Sequence, residues 1–196
     1  MKNSIQPYAV FERHGGVANA GQLLEEGVTY YQLNKLLKDG RVIRLKQGLY
    51  RWHDAPVSEW AEVAHIVKQG VFCLYTACFH YNLTTFVSGD YHVAIPKKDK
   101  VVLPDYPPIK LYYWEEAAYE TGVVKMKMDG TEVAMYDLEK TVCDLIRYQK
   151  KAGLEVLKEV LKNYLGRKDR NLQKLSRYAG ILNIQEEVDY LVTLLI

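Results

Sequence analysis

The sequence predicts an α+β protein in two parts, a small helical module that ends in a hairpin and a larger mixed domain. Three observations carry this. Up to residue 40 the apolar residues recur at helical spacing, from 42 to 52 the period drops to two, and beyond 137 the helical period returns. The composition, 48% hydrophobic and 26% charged, is that of a globular chain and argues against disorder or a membrane protein. The start, MKNSIQPYAVFERHGG, lacks the apolar run and cleavage site of a signal peptide, and no run of about 18 apolar residues occurs, so a cytoplasmic location is expected.

The first helix is expected over residues 4–14, with Ile5, Tyr8, Ala9 and Phe11 inward and Gly15-Gly16 ending it. A second opens at Asn19, where Gln22 completes a capping-box pattern ahead of Leu23 and Leu24, and Gly27 closes it. For the third, Thr29 and Gln32 repeat the capping box, Val28 and Leu33 occupy the two positions of a hydrophobic staple, and Gly40 suits the C-terminus. Tyr30, Leu33, Leu36 and Leu37 form its inward stripe, and Tyr31, Asn34, Lys35 and Lys38 its outward one. Past Gly40, Ile43 and Leu45 alternate with Arg44 and Lys46. After Gly48, Tyr50 and Trp52 alternate with Leu49 and Arg51, which together predict a β-hairpin. Residues 28–52 hold six basic side chains against one acidic, although the whole chain carries only +2.

Residues 53–58, HDAPVS, suit a short linker, so the domains are expected at 1–56 and 57–196. In the second, helices are expected from residue 59, with Trp60, Val63, Ala64 and Val67 inward, and over 74–81. Short strands follow at 91–96, 109–114, 123–128 and 132–136. From Asp137 a helical array runs to the end, its last inward set being Val188, Leu191, Val192 and Leu195. Cys73, Cys78 and Cys143 are expected as buried free thiols, and His14, His65, His80 and His92 show no ligand or triad spacing, so no cofactor is expected.

Three short helices followed by a basic hairpin describe a winged helix-turn-helix. A helix roughly 10–12 Å across fits the major groove of B-form DNA, where base edges display distinguishable donors and acceptors. The outward stripe, Lys38 included, would face them. Asn34 is suited to an adenine edge, Lys35 to guanine or phosphate, and Tyr31 to phosphate or a thymine methyl, while Thr29 and the helix N-terminus can hold a phosphate. Arg44, Lys46, Gln47 and Arg51 are the expected wing contacts to backbone or minor groove.

Two further clusters are ambiguous. Residues 145–182 carry Arg147, Lys150, Lys151, Lys158, Lys162, Arg167, Lys168, Arg170, Lys174 and Arg177 against three acids. They are either solvated faces of amphipathic helices or a second basic surface for flanking DNA or an RNA-like substrate. Asp137, Glu139, Lys140 and Asp144 could suggest a nuclease tethered to DNA by the winged helix. Asp137, however, reads as an N-cap and Glu139 as a first-turn carboxylate, and the acids share one helical turn and mostly point apart, so no enzyme is expected. A winged helix used for protein contacts is the other alternative.

The segment GGVANAGQLLEEGVTYYQLNKLLKDGRVIRLKQGLYRW, with its closing Gly48-Leu49-Tyr50-Arg51, resembles the N-terminal winged-helix module of AbiEi-type antitoxins. LYTACFHYNLT at 74–84, YHVAIPKK at 91–98, YDLEKTVCDLIRYQKK at 136–151 and the later LSRYAGILN are similar to the antitoxin domain of the same family, so the likeness spans nearly the whole chain. It implies an autoregulating transcriptional repressor in a bacterial type IV (AbiE) toxin–antitoxin system that confers phage resistance by abortive infection. The implied partners are double-stranded operator DNA with inverted repeats, bound by two copies, and a nucleotidyltransferase toxin that is counteracted without a stable complex.

Overall fold

The computed structural model describes residues 6–195, the side chain of Leu195 excepted; Ser4 and Ile5, expected in the first helix, lie outside the described residues. The fold is α+β and forms two compact units. The first takes the described residues up to Lys68 together with Val101–Pro107; the second takes Gln69–Lys100 and the described residues from Pro108 onward.

The first unit is a winged helix-turn-helix. Its elements are α1 (Pro7–Arg13), β1 (Val17–Asn19), α2 (Ala20–Glu25), α3 (Tyr30–Lys38), β2 (Val42–Lys46), β3 (Leu49–Trp52) and α4 (Glu59–Ile66). The three strands form an antiparallel sheet in the order β1-β3-β2. Asn19 and Thr29 each close a complete capping box, which satisfies N–H groups that a helix otherwise leaves without partners. Val28 and Leu33, the two halves of the expected staple, are both buried in a core with Val10, Phe11, Leu23 and Trp52. Tyr8, expected inward, is instead half-exposed, and it lays its ring edge on Trp52 at 5.2 Å between centroids.

Residues 53–58 fold back over Gly16, whose φ of +89° and lack of a side chain let Ala55 and Val57 approach; a Cβ there would lie 2.5 Å from that of Ala55. The helix α4, expected in the second domain, falls within the first unit.

In the second unit a five-stranded mixed sheet runs β6-β5-β4-β8-β7, from β4 (Val71–Phe72), β5 (Tyr91–Pro96), β6 (Ile109–Trp114), β7 (Val123–Met128) and β8 (Thr131–Tyr136). The strands β7 and β8 turn at Asp129-Gly130, both with positive φ, as a two-residue hairpin loop requires. The helices α5 (Leu74–His80), α6 (Glu116–Glu120), α7 (Leu138–Arg147), α8 (Gln149–Ala152), α9 (Leu154–Leu165), α10 (Leu172–Ile181) and α11 (Gln185–Leu195) complete the unit.

The centre of the unit is α7, in which all residues from Leu138 to Ile146 are buried, polar ones included. Lys140 Nζ sits 2.7 Å from both carboxylate oxygens of Asp144 and 4.0 Å from the centre of the Tyr136 ring. Burial of such a pair is tolerable because each charge has a close partner and the ring face adds a cation–π contact. Cys73, Cys78 and Cys143 are free and buried, and burial raises all three thiols, Cys143 to about 12.

Candidate nucleic-acid interface

The helix α3 presents two unlike faces. Leu33 and Leu36 are buried beneath it, while Tyr31 is 80% exposed and Asn34, Lys35 and Lys38 are exposed along the other side. These four, with Asp39, line one shallow concavity of about 450 Å³, so the spacing i, i+3, i+4, i+7 does bring them onto a single surface. Tyr30, expected in the core, is instead 59% exposed. It is the first helical residue, and the space beneath that turn is already filled by Val28 against Leu33.

The capping box fixes how this helix begins. Thr29 N donates to Gln32 Oε1 at 2.9 Å and Thr29 Oγ1 accepts from Gln32 N at 3.2 Å. The Thr29 hydroxyl also donates to Gln32 Oε1 at 2.9 Å, so the side chain expected to hold a phosphate is occupied within its own helix. The N–H groups of Tyr30 and Tyr31 precede the first intrahelical bonds and are the donors that the helix end offers to an anion.

The hairpin departs from strict alternation. Its register shifts between Arg44 and Lys46, and this bulge buries Val42 and Leu45, leaving Ile43 at the margin. Arg44 therefore stays exposed, 5.7 Å above the Tyr50 ring, and Gln47 is exposed in the turn. Lys46 is drawn inward, where its ammonium donates to the carbonyl of Ile66 at the end of α4, 2.6 Å away. Burial, with Lys68 nearby, lowers its pKa. Arg51 turns the same way and forms an ion pair with Glu62, which is 1% exposed. Two of the four cationic or polar wing residues expected to reach DNA are thus engaged inside the unit. Nothing in the one-dimensional pattern marks Ile66 and Glu62 as their partners, because the pairing depends on where α4 packs.

The cations of the second unit divide similarly. Arg147, Lys150, Lys151, Lys158, Lys162, Lys168, Arg170 and Arg177 are exposed. Arg167 is held by Asp169 and by the carbonyl of Tyr81, and Lys174 by Asp137 at 2.9 Å and Glu139 at 3.3 Å. The carboxylates of α7 are likewise committed. Asp137 caps its own helix through Lys140 N and accepts the hydroxyl of Tyr178, and Glu139 accepts Asn171 N at the start of α10. Asp144 takes Lys140, so the acids that sequence alone could assign to catalysis knit α7 to α10 and to itself. The sequence marks Glu139 only as a first-turn charge, since its long-range partner, 32 residues on, gives no local signal.

Solved structures supply a likeness for nearly all of the chain. The RV2827C protein from Mycobacterium tuberculosis aligns over 95% of this chain and 79% of its own, with a TM-score of 0.55 and 11% identity, which shows a shared fold. No curated protein sequence matches. Residues 6–52 match the family model described as "Transcriptional regulator, AbiEi antitoxin", a span that starts just before α1 and ends with the wing. Tyr31, Asn34, Lys35 and Lys38 all lie within the matched span, so the bare face of α3 belongs to the part of the chain that is similar to the AbiEi-antitoxin transcriptional regulators.

Proposed function

We propose that this protein is the antitoxin and autorepressor of a toxin–antitoxin pair, reading its own promoter through α3. The observation that carries it is the single exposed face of that helix, in a module matched by a family of transcriptional regulators. Asn34 can pair both its amide groups with an adenine edge, Lys35 can reach guanine or phosphate, and Tyr31 and Lys38 flank them. Backbone N–H groups at the start of α3 hold a phosphate, and Arg44 and Gln47 carry the wing contact. Lys46 and Arg51 act indirectly, by fixing the hairpin on α4 so that Arg44 keeps its direction.

Operators with inverted repeats would place two copies on the DNA, since a two-fold site is matched by a two-fold arrangement of readers. The second unit supports neutralisation of a nucleotidyltransferase toxin without a stable complex, in a system of the type IV, abortive-infection kind. The solved structure with a similar fold adds nothing to this functional statement beyond architecture.

A mobility-shift titration of the full chain against the DNA immediately upstream of its gene tests the reading, with a scrambled duplex as competitor. Retention of the upstream duplex under an excess of competitor is expected. Equal displacement by both duplexes would remove the repressor assignment. Growth rescue when the chain is expressed with the neighbouring toxin gene tests the antitoxin half separately.

A further inference from the structure

Between α9 and α11 runs an open groove of about 610 Å³, with Leu161 and Leu191 in its floor and Leu154 and Leu194 at its lip. Leu154, Leu194 and the nearby Tyr190 are each more than 60% exposed, which is unusual for three large apolar side chains on one small region. Lys158 and Lys162 stand on the α9 wall and are exposed, and the neighbouring Glu159 is turned to Thr84 and Thr85.

The chain itself supplies a helix suited to this groove. On α11, Glu187, Tyr190 and Leu194 recur at i, i+3, i+7 and are all exposed, which makes a stripe that is acidic at its start and apolar at its end. On α9, Leu154, Lys158 and Lys162 recur at i, i+4, i+8, apolar at the start and basic toward the end. Laid antiparallel, the two stripes are complementary in both respects. Glu187 to Leu194 spans seven residues and Leu154 to Lys162 spans eight, or about 10 and 12 Å at 1.5 Å per residue, so charge meets charge where leucine meets leucine.

We propose that the α9–α11 face is where two copies of this chain associate, α11 of each lying antiparallel along α9 of the other. The arrangement is isologous: each Glu187–Lys162 pair occurs twice about a two-fold axis, as does each Leu194–Leu154 contact. Helix-in-groove docking of this kind rests on apolar anchors, with charge setting the direction. It does not depend on DNA binding, and it is measured without DNA.

Sedimentation equilibrium of the full chain over a range of concentrations tests it. A reversible dimer is expected, weakened roughly tenfold or more by Lys162→Glu, since two attractive pairs become repulsive. The double variant Lys162→Glu with Glu187→Lys restores it, because the pair is re-formed in the opposite sense. Both positions are exposed, so circular dichroism should show the variants folded as the parent is. A chain that stays monomeric at all concentrations overturns the proposal, whatever else the groove accepts. So does a dimer that Lys162→Glu and Leu154→Asp leave unchanged.

Discussion

Asn34 and Lys35 sit side by side on α3 and should fail differently when removed. An amide that pairs with a base edge contributes to discrimination, whereas an ammonium on a phosphate contributes to affinity for any duplex. Asn34→Ala is therefore expected to cost about 1–3 kcal/mol on the upstream sequence and little on scrambled DNA. Lys35→Ala, if its contact is to phosphate, should weaken both and make the salt dependence shallower by about one counterion; anisotropy titrations at several salt concentrations separate the two. The exposed stripe was legible because helical spacing alone separates Tyr31, Asn34, Lys35 and Lys38 from Leu33 and Leu36. Lys46 and Arg51 were not legible: their partners, Ile66 and Glu62, lie 20 and 11 residues away on a helix whose docking no local pattern encodes.

His92 is a second residue with a measurable signature. Its ring is buried between the Ser88 hydroxyl at Nε2 and the Tyr112 hydroxyl at Nδ1, each 2.8 Å away, which suits a neutral imidazole with one donor and one acceptor. Burial, helped by Lys110, lowers its pKa from 6.5 to about 4. As pH falls the unfolded chain takes up the proton first, so this contribution to stability is complete above pH about 6.5 and is lost on the way down to about 4. Asp144, raised by burial to about 6, slopes the other way, with stability lost as pH rises toward that value. A comparison that isolates His92 is therefore needed. Urea unfolding at pH 7 and pH 5 should show parent stability falling more steeply toward acid than that of His92→Gln, and parallel losses would contradict the assignment.

Among the elements, α3 depends on its cap. Removing the Thr29 hydroxyl leaves Gln32 N without a partner at the start of the helix that carries the exposed stripe, so Thr29→Ala should lower stability by about 1 kcal/mol. Thermal unfolding of the parent and variant measures it. Gly122 is likewise constrained, with φ of +73° and room so tight that a Cβ would come within 2.6 Å of that of buried Lys140. Gly122→Ala should destabilise more than the cap variant does, since neither backbone nor neighbour can give easily. The longer elements announced themselves through caps and periodicity, as with Asn19, Thr29 and Asp137, each of which does cap its helix. Strands β1 and β4, of three and two residues, are too short to show a period, and the bulge at Arg44–Lys46 shifts the wing's alternation by one residue.

For the molecule as a whole, two-part organisation was legible and the assignment of α4 was not, since a short polar stretch such as residues 53–58 does not reveal which way the next helix will pack. The most direct test of DNA reading by α3 is the affinity of the full chain for its own upstream DNA, parent against a Tyr31→Ala, Asn34→Ala, Lys35→Ala triple variant, whose replaced side chains are all exposed. The triple variant is expected to keep the parent's fold and thermal midpoint but to bind upstream and scrambled duplexes alike, its preference gone. A folded triple variant that still prefers the upstream DNA as the parent does would show that another surface reads it.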